Sequence, residues 1–128
     1  MEGDAGVTKE KDRTVLVVED HADSREMLSE ILVHSGLAVM AAVDGVEAIA
    51  LMQSQVPALV LTDLSMPRMD GMALARYIKS DQRYDHIPVA LISANLPASN
   101  ARIPEISAFL LKPCSVDHLL TTVSRLLG

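Results

Sequence analysis

The chain has no tryptophan, one phenylalanine and two tyrosines, so aromatic residues make up only 2% of its 128 positions. Stacking platforms of the kind that grip single-stranded nucleic acid are therefore missing, and the core has to be built from Leu, Val, Ile, Ala and Met. A single cysteine, Cys114, excludes an internal disulfide. No apolar run approaches the roughly 18 residues of a membrane-spanning helix, and the start of the chain lacks the order of charge, apolar stretch and small residues that marks a secretory signal. Basic residues are scarce as well: 11 Lys and Arg face 17 Asp and Glu, a net charge of −6. That balance argues against a nucleic-acid partner held mainly through its phosphates. These absences together lead us to expect a cytoplasmic protein with no direct nucleic-acid or membrane contact.

What is present is an ordinary globular composition, 49% apolar and 22% charged, in a chain the size of one domain. Residues 1–13, MEGDAGVTKEKDR, are polar and aperiodic and read as a flexible leader or linker, with the domain spanning 14–128. From Thr14 the text alternates. A continuous apolar run suited to a strand covered on both faces occurs at Thr14–Val18, and further strands are expected at Leu37–Ala42, Ala58–Thr62, Val89–Ser93 and Phe109–Leu111. Amphipathic runs lie between and after them: 22–35 with Met27, Leu28, Ile31 and Leu32, stopped by Gly36; Val46–Gln55 with Ile49 and Met52; Gly71–Lys79 with Leu74, Ala75 and Ile78; and a last helix from about Ser115 carrying Leu119, Leu120, Val123 and Leu127. Between the fourth and fifth strands, Pro97 and Pro104 restrict any helix to a few residues. Strict strand–helix alternation requires parallel strands joined by right-handed crossovers, an α/β doubly wound sheet with helices on both faces. Ligand sites of such sheets lie at the carboxyl ends of the strands.

The residues at those ends are chemically pointed. Glu19 and Asp20 follow the first strand, Asp63 the third, Ser93 ends the fourth, and Lys112 follows the fifth. Carboxylates converging in one cleft repel by about 4 kcal/mol per pair at 4 Å and an effective dielectric of 20, a conflict that a divalent cation resolves. All-oxygen ligation suits Mg2+, and the four scattered histidines offer no zinc-like spacing. A metal-bound carboxylate beside an ammonium and a hydroxyl can accept a phosphoryl group. Asp63 is then the expected nucleophile. Glu19, Asp20, Asp63 and the backbone carbonyl of Ser65 form the metal set, and Lys112 and Ser93 meet the phosphoryl oxygens.

The segments VLVVED (15–20), LTDLSMPRMDG (61–71), PVALISA (88–94) and FLLKP (109–113) resemble, in order and over Thr14 to Leu127, the signature segments of response-regulator receiver domains of two-component phosphorelay signalling. The resemblance implies a flavodoxin-like strand order 2-1-3-4-5, Mg2+ dependence, and phosphorylation of Asp63 by a histidine kinase or phosphotransfer protein. It also implies a switch made of a hydroxyl and an aromatic ring, here Ser93 and Phe109, that alters a protein-interaction surface. Such a domain is no enzyme beyond catalysing its own phosphorylation and slow autodephosphorylation. Ser65 and Asn95, each two residues beyond a site residue, are expected to line the path of the hydrolytic water and tune phosphoryl lifetime.

The sequence departs from that pattern between strands four and five. Glu105 stands where a glycine is usual, the stretch is a few residues short, and its prolines lead us to expect a short or distorted fourth helix. Phe109 replaces the commoner tyrosine and so loses a hydroxyl, and Cys114 stands where an aromatic often follows Lys-Pro. The output face next to that helix is the family's usual dimerisation surface, which leaves at most a weak homodimer as the expected self-association. The alternative function is a pseudo-receiver, a phosphorylation-independent interaction domain. An aspartyl phosphatase would want a second acid soon after Asp63, where Leu64 and Ser65 stand, and a flavodoxin would want a hydroxyl-rich loop where Glu19-Asp20-His21 stands.

Overall fold

The computed structural model describes residues 13–95 and 103–128. β1 (Thr14–Val18), β2 (Ala38–Ala42), β3 (Leu59–Asp63), β4 (Val89–Ser93) and β5 (Ala108–Leu111) form one sheet in the order β2-β1-β3-β4-β5. Every pairing is parallel, as the alternation requires. The described helices are α1 (Ala22–His34), α2 (Gly45–Ser54), α3 (Gly71–Ser80) and α4 (Val116–Leu127). The doubly wound order expected from the sequence is the one found. Most of the expected leader, residues 1–12, and the centre of the crossover in which a short or distorted fourth helix was expected, residues 96–102, lie outside the described residues.

Alternate side chains of the central strands feed opposite layers, which is why these strands read as unbroken apolar runs. On one face Leu16, Val18, Val60 and Leu91 pack with Ala48 and Met52 of α2 and Leu74 and Ile78 of α3. On the other, Val15, Val17, Leu61 and Ile92 pack with Leu28 and Leu32 of α1 and Leu119 and Val123 of α4. Both tyrosines serve the first layer. Tyr84 is buried with its hydroxyl donating to the Met52 carbonyl at 3.4 Å, and its ring centroid lies 6.4 Å from that of Tyr77. Lys79 ties the end of α3 to the approach to β4, donating to the carbonyls of Asp85 and Ile87 at 3.1 and 2.6 Å. At the same edge of the sheet, where strands begin, Leu127 of α4 meets Ser35 and Leu37 across a small cavity.

Element boundaries differ from expectation by a residue or so, for identifiable reasons. Leu37 is no ladder residue: its N–H closes α1 on the Leu32 carbonyl at 3.2 Å while its side chain packs under that helix, and Gly36 takes the φ of +99° that ends it. The side chain of Asp44 accepts the Glu47 N–H at 2.9 Å, so α2 starts at Gly45. Asp70 and Ser115 cap α3 and α4 in the same way. Met27, expected on the inner face of α1, is 57% exposed. Consecutive helical positions lie about 100° apart, and Leu28 holds the inward direction.

α3 begins hard against the strand that precedes it. The Gly71 N–H donates to the Leu64 carbonyl at 2.8 Å, and a Cβ at Gly71 would stand 2.3 Å from the Asp63 carbonyl oxygen and 2.9 Å from Leu91. Neither backbone nor buried leucine can yield there. Gly71→Ala should therefore destabilise the fold by about 1–3 kcal/mol, seen as a lower urea midpoint with unchanged m-value; an unaltered midpoint would show that the contact relaxes freely.

Candidate functional site

The in-register parallel pairing of β1 with β3 and β3 with β4 brings the carboxyl ends of three strands to one edge. Glu19 leaves β1 with its N–H on the Ala42 carbonyl at 3.0 Å, which carries the sheet one residue past the strand and buries the side chain to 1% exposure. Asp63, the last residue of β3, is 8% exposed. Asp20 is solvent-facing. Carboxylate oxygens of Glu19, Asp20 and Asp63 all lie within 4.8 Å of one another. Asp20 has no capping duty, since α1 is preceded by His21 and its N-terminus has no side-chain cap.

Lys112 enters this cluster from the end of β5, where its N–H is held by the Ser93 carbonyl at 2.9 Å and its peptide bond to Pro113 is cis. The ammonium sits 2.8 Å from Glu19 Oε1 and 3.2 Å from Asp63 Oδ2. Partial burial would push its pKa down, but the hydrogen bonds and charges of Glu19 and Asp63 outweigh it and hold the group above its ordinary range, fully protonated. Glu19 has other supports: its Oε2 accepts the His21 N–H at 3.1 Å, and Arg25 reaches back to its carbonyl at 2.8 Å. Among the described residues, the second oxygen of Asp63, Oδ1, meets only the Ser65 N–H, at a long 3.4 Å. The cluster thus holds three carboxylates and one cation at close quarters, all donors are oxygen, and one carboxylate oxygen is nearly uncommitted. That donor set fits a hard divalent cation.

The remaining expected residues stand at the rim. The Ser93 hydroxyl is buried and engaged locally, accepting the Asn95 N–H at 3.2 Å, with the Asn95 carbonyl 3.3 Å away. Ser65 and Asn95 are exposed, on two loops that flank the cleft. Phe109, paired in register with Leu91, is half-buried against the α2–α3 layer, a position between core and surface. The structure joins Glu19, Asp20, Asp63 and Lys112 through their side chains, and brings Ser93 to Lys112 through the backbone.

Sequence reading missed one pair near the site. Arg68, five residues after Asp63, donates from Nε to Asp44 Oδ2 at 2.7 Å, with Nη2 at the same distance. Asp44 is the buried cap of α2, at the end of the neighbouring edge strand. Arg68 has φ of +67°, which costs a side chain with a Cβ about 1–2 kcal/mol. Opposite charges 24 positions apart give no local signal; only the strand order juxtaposes them.

The family profile described as the response regulator receiver domain matches residues 15–124. The chain belongs to that family. Among curated relatives, it is 35% identical over 117 residues to hybrid signal transduction histidine kinase D of Dictyostelium discoideum and 37% identical over 118 to the sensor histidine kinase TmoS of Ectopseudomonas mendocina. These matches cover 88% and 89% of this chain, which spans only 7% and 12% of the two kinases. It is 28% identical to the polar-differentiation response regulator DivK of Brucella ovis, over 91% of this chain and 97% of DivK. Among solved structures, the response regulator TrrA of Thermotoga maritima, described in complex with Mg2+ and BeF, superposes with a TM-score of 0.81 at 27% identity, covering 89% of this receiver domain and 98% of TrrA.

The Asp44 carboxyl of this receiver is held below the usual aspartate range, first by the Glu47 N–H and, against the opposing effect of burial, by Arg68. A depressed folded-state pKa contributes stability that is complete above the unfolded value of about 3.9 and is lost as pH falls through the folded one. Asp44→Asn keeps a capping oxygen but removes the titration. The gap in urea midpoint between wild type and this variant should be widest at pH 6 and close on acidification towards pH 3; a constant gap would refute the linkage.

Proposed function

We propose that Asp63 is the phosphoacceptor of this receiver domain, and that it takes its phosphoryl group from the phosphohistidine of a histidine kinase or phosphotransfer protein. The observation that carries the reading is the Lys112 ammonium lying between Glu19 and Asp63, with Asp20 completing the carboxylate group. A carboxylate oxygen of Asp63 attacks phosphorus as the bond from phosphorus to the donor imidazole breaks, leaving an acyl phosphate on Asp63 and a neutral donor histidine. Lys112 is freed from Asp63 by the loss of its carboxylate charge and follows the negative charge to a phosphoryl oxygen, as does the Ser93 hydroxyl once it leaves its turn with Asn95. Glu19, Asp20, Asp63 and the Ser65 carbonyl would hold a Mg2+, which supplies neutralisation of the phosphoryl oxygens when bound. The complex of TrrA with Mg2+ and BeF supports that choice of ion.

Departure of Ser93 from its turn disturbs the start of the β4–β5 crossover, and Phe109, half-buried alongside, is the ring that can respond. That pair is the proposed switch, biasing a protein-interaction surface between two conformations. Reversal is hydrolysis of the acyl phosphate, with water arriving between the exposed Ser65 and Asn95 and inorganic phosphate leaving. A donor that draws its phosphoryl group from ATP places the exchange in the cytoplasm.

The first test is intact mass after incubation with a small-molecule acyl phosphate, with and without Mg2+. Wild type should gain one phosphoryl group only with Mg2+, and Asp63→Asn should gain none; an equal gain by the variant would remove Asp63 from the role. For the water path, Ser65→Ala and Asn95→Ala should each shift the dephosphorylation rate several-fold. Rates matching wild type in both would discard it.

A further inference from the structure

We propose that the Arg68–Asp44 ion pair is a positioning device for the cation site, pinning the segment between Asp63 and α3 so that the Ser65 backbone is held as a metal ligand. The inference rests on the reading of the carboxylate cleft as a Mg2+ site. The segment is short and is anchored at its ends by the Ser65 N–H on Asp63 and the Gly71 N–H on Leu64. Those anchors lie within the segment and the residues bounding it, and they do not fix it against the rest of the fold. Arg68 does, reaching to a buried carboxylate that is itself fixed as the cap of α2.

Two further observations agree. Met69 seats directly on the first turn of α2: a Cβ at Gly45 would stand 2.7 Å from Met69 Cγ and Sδ, so the loop and the helix start are in contact at two successive residues. Arg68 also adopts its left-handed backbone conformation while carrying a side chain that is mostly exposed. A glycine would suit that conformation better, and what arginine adds is the bond to Asp44. Outer supports of this kind orient ligands without touching the ion.

A positioning role and a mere charge effect predict opposite signs for Arg68→Ala. Arg68 is a cation near a cation site, so by Coulomb's law alone Arg68→Ala would tighten Mg2+ binding, Asp44→Asn would weaken it, and the double variant would return to wild type. If the pair positions the loop, each single variant weakens binding, and the double variant is no worse than either single one. Asn at position 44 retains a capping oxygen, and Ala at position 68 meets the same backbone demand as Arg, so both variants should fold.

The experiment is calorimetric titration of the whole chain with Mg2+ for wild type, Arg68→Ala, Arg68→Lys, Asp44→Asn and the double variant, with melting temperatures measured alongside. Arg68→Ala and Asp44→Asn should each weaken Mg2+ binding by roughly tenfold, the double variant equally, and Arg68→Lys should recover most of the loss. Unchanged or tighter binding by Arg68→Ala, with the wild type binding normally, overturns the inference alone. Absence of Mg2+ binding by the wild type overturns the reading of the cleft and the inference with it.

Discussion

The structure depends on a repulsion that it creates and then contains. Parallel pairing in strict register carries Glu19 and Asp63 to adjacent strand ends with their side chains buried, and Asp20 adds a third negative charge within 4.8 Å. At that range two carboxylates oppose each other by about 3–4 kcal/mol at an effective dielectric of 20. Lys112 offsets part of this, bonding to both buried carboxylates, but one ammonium leaves the cluster with excess negative charge. The residual negative charge is what a divalent cation would neutralise. It would also make the site responsive, because an acyl phosphate on Asp63 would rearrange the charges that Lys112 balances.

The packing around the cleft is rigid where that balance has to be kept and looser where a change has to be passed on. β1, β3 and β4 are buried along their whole lengths, and Gly71 locks the start of α3 against the Asp63 backbone. The Ser93 hydroxyl, by contrast, is held by hydrogen bonds local to its own turn, and Phe109 is only half-buried on a strand whose next residue but one, Leu111, faces solvent. A perturbation at Asp63 therefore meets least resistance toward the Ser93 hydroxyl and β5.

Most of this was legible in the amino-acid sequence because it is written in short periods. Unbroken runs such as TVLVV and VALIS mark buried parallel strands, and the polar residues directly after them have to stand at the sheet's edge, so Glu19, Asp20, Asp63 and Lys112 could be assembled before any coordinates. The illegible parts obey longer-range or finer rules. Met27 and Leu28 are neighbours of equal hydropathic appeal, and only packing decides that Leu28 turns inward. Leu37 looks like the first residue of a strand and instead closes a helix. The Arg68–Asp44 bond spans 24 positions and two loops, with no pattern in either segment to announce it.

The meeting of Leu127 with Ser35 and Leu37, where strands begin, gives the domain a polarity of attachment. Thr14 opens β1 at that same edge, so the start of the first strand and the far end of the last helix both lie opposite the carboxylates. The edge that carries Glu19, Asp20 and Asp63 is thereby left clear of both, facing outward from the sheet.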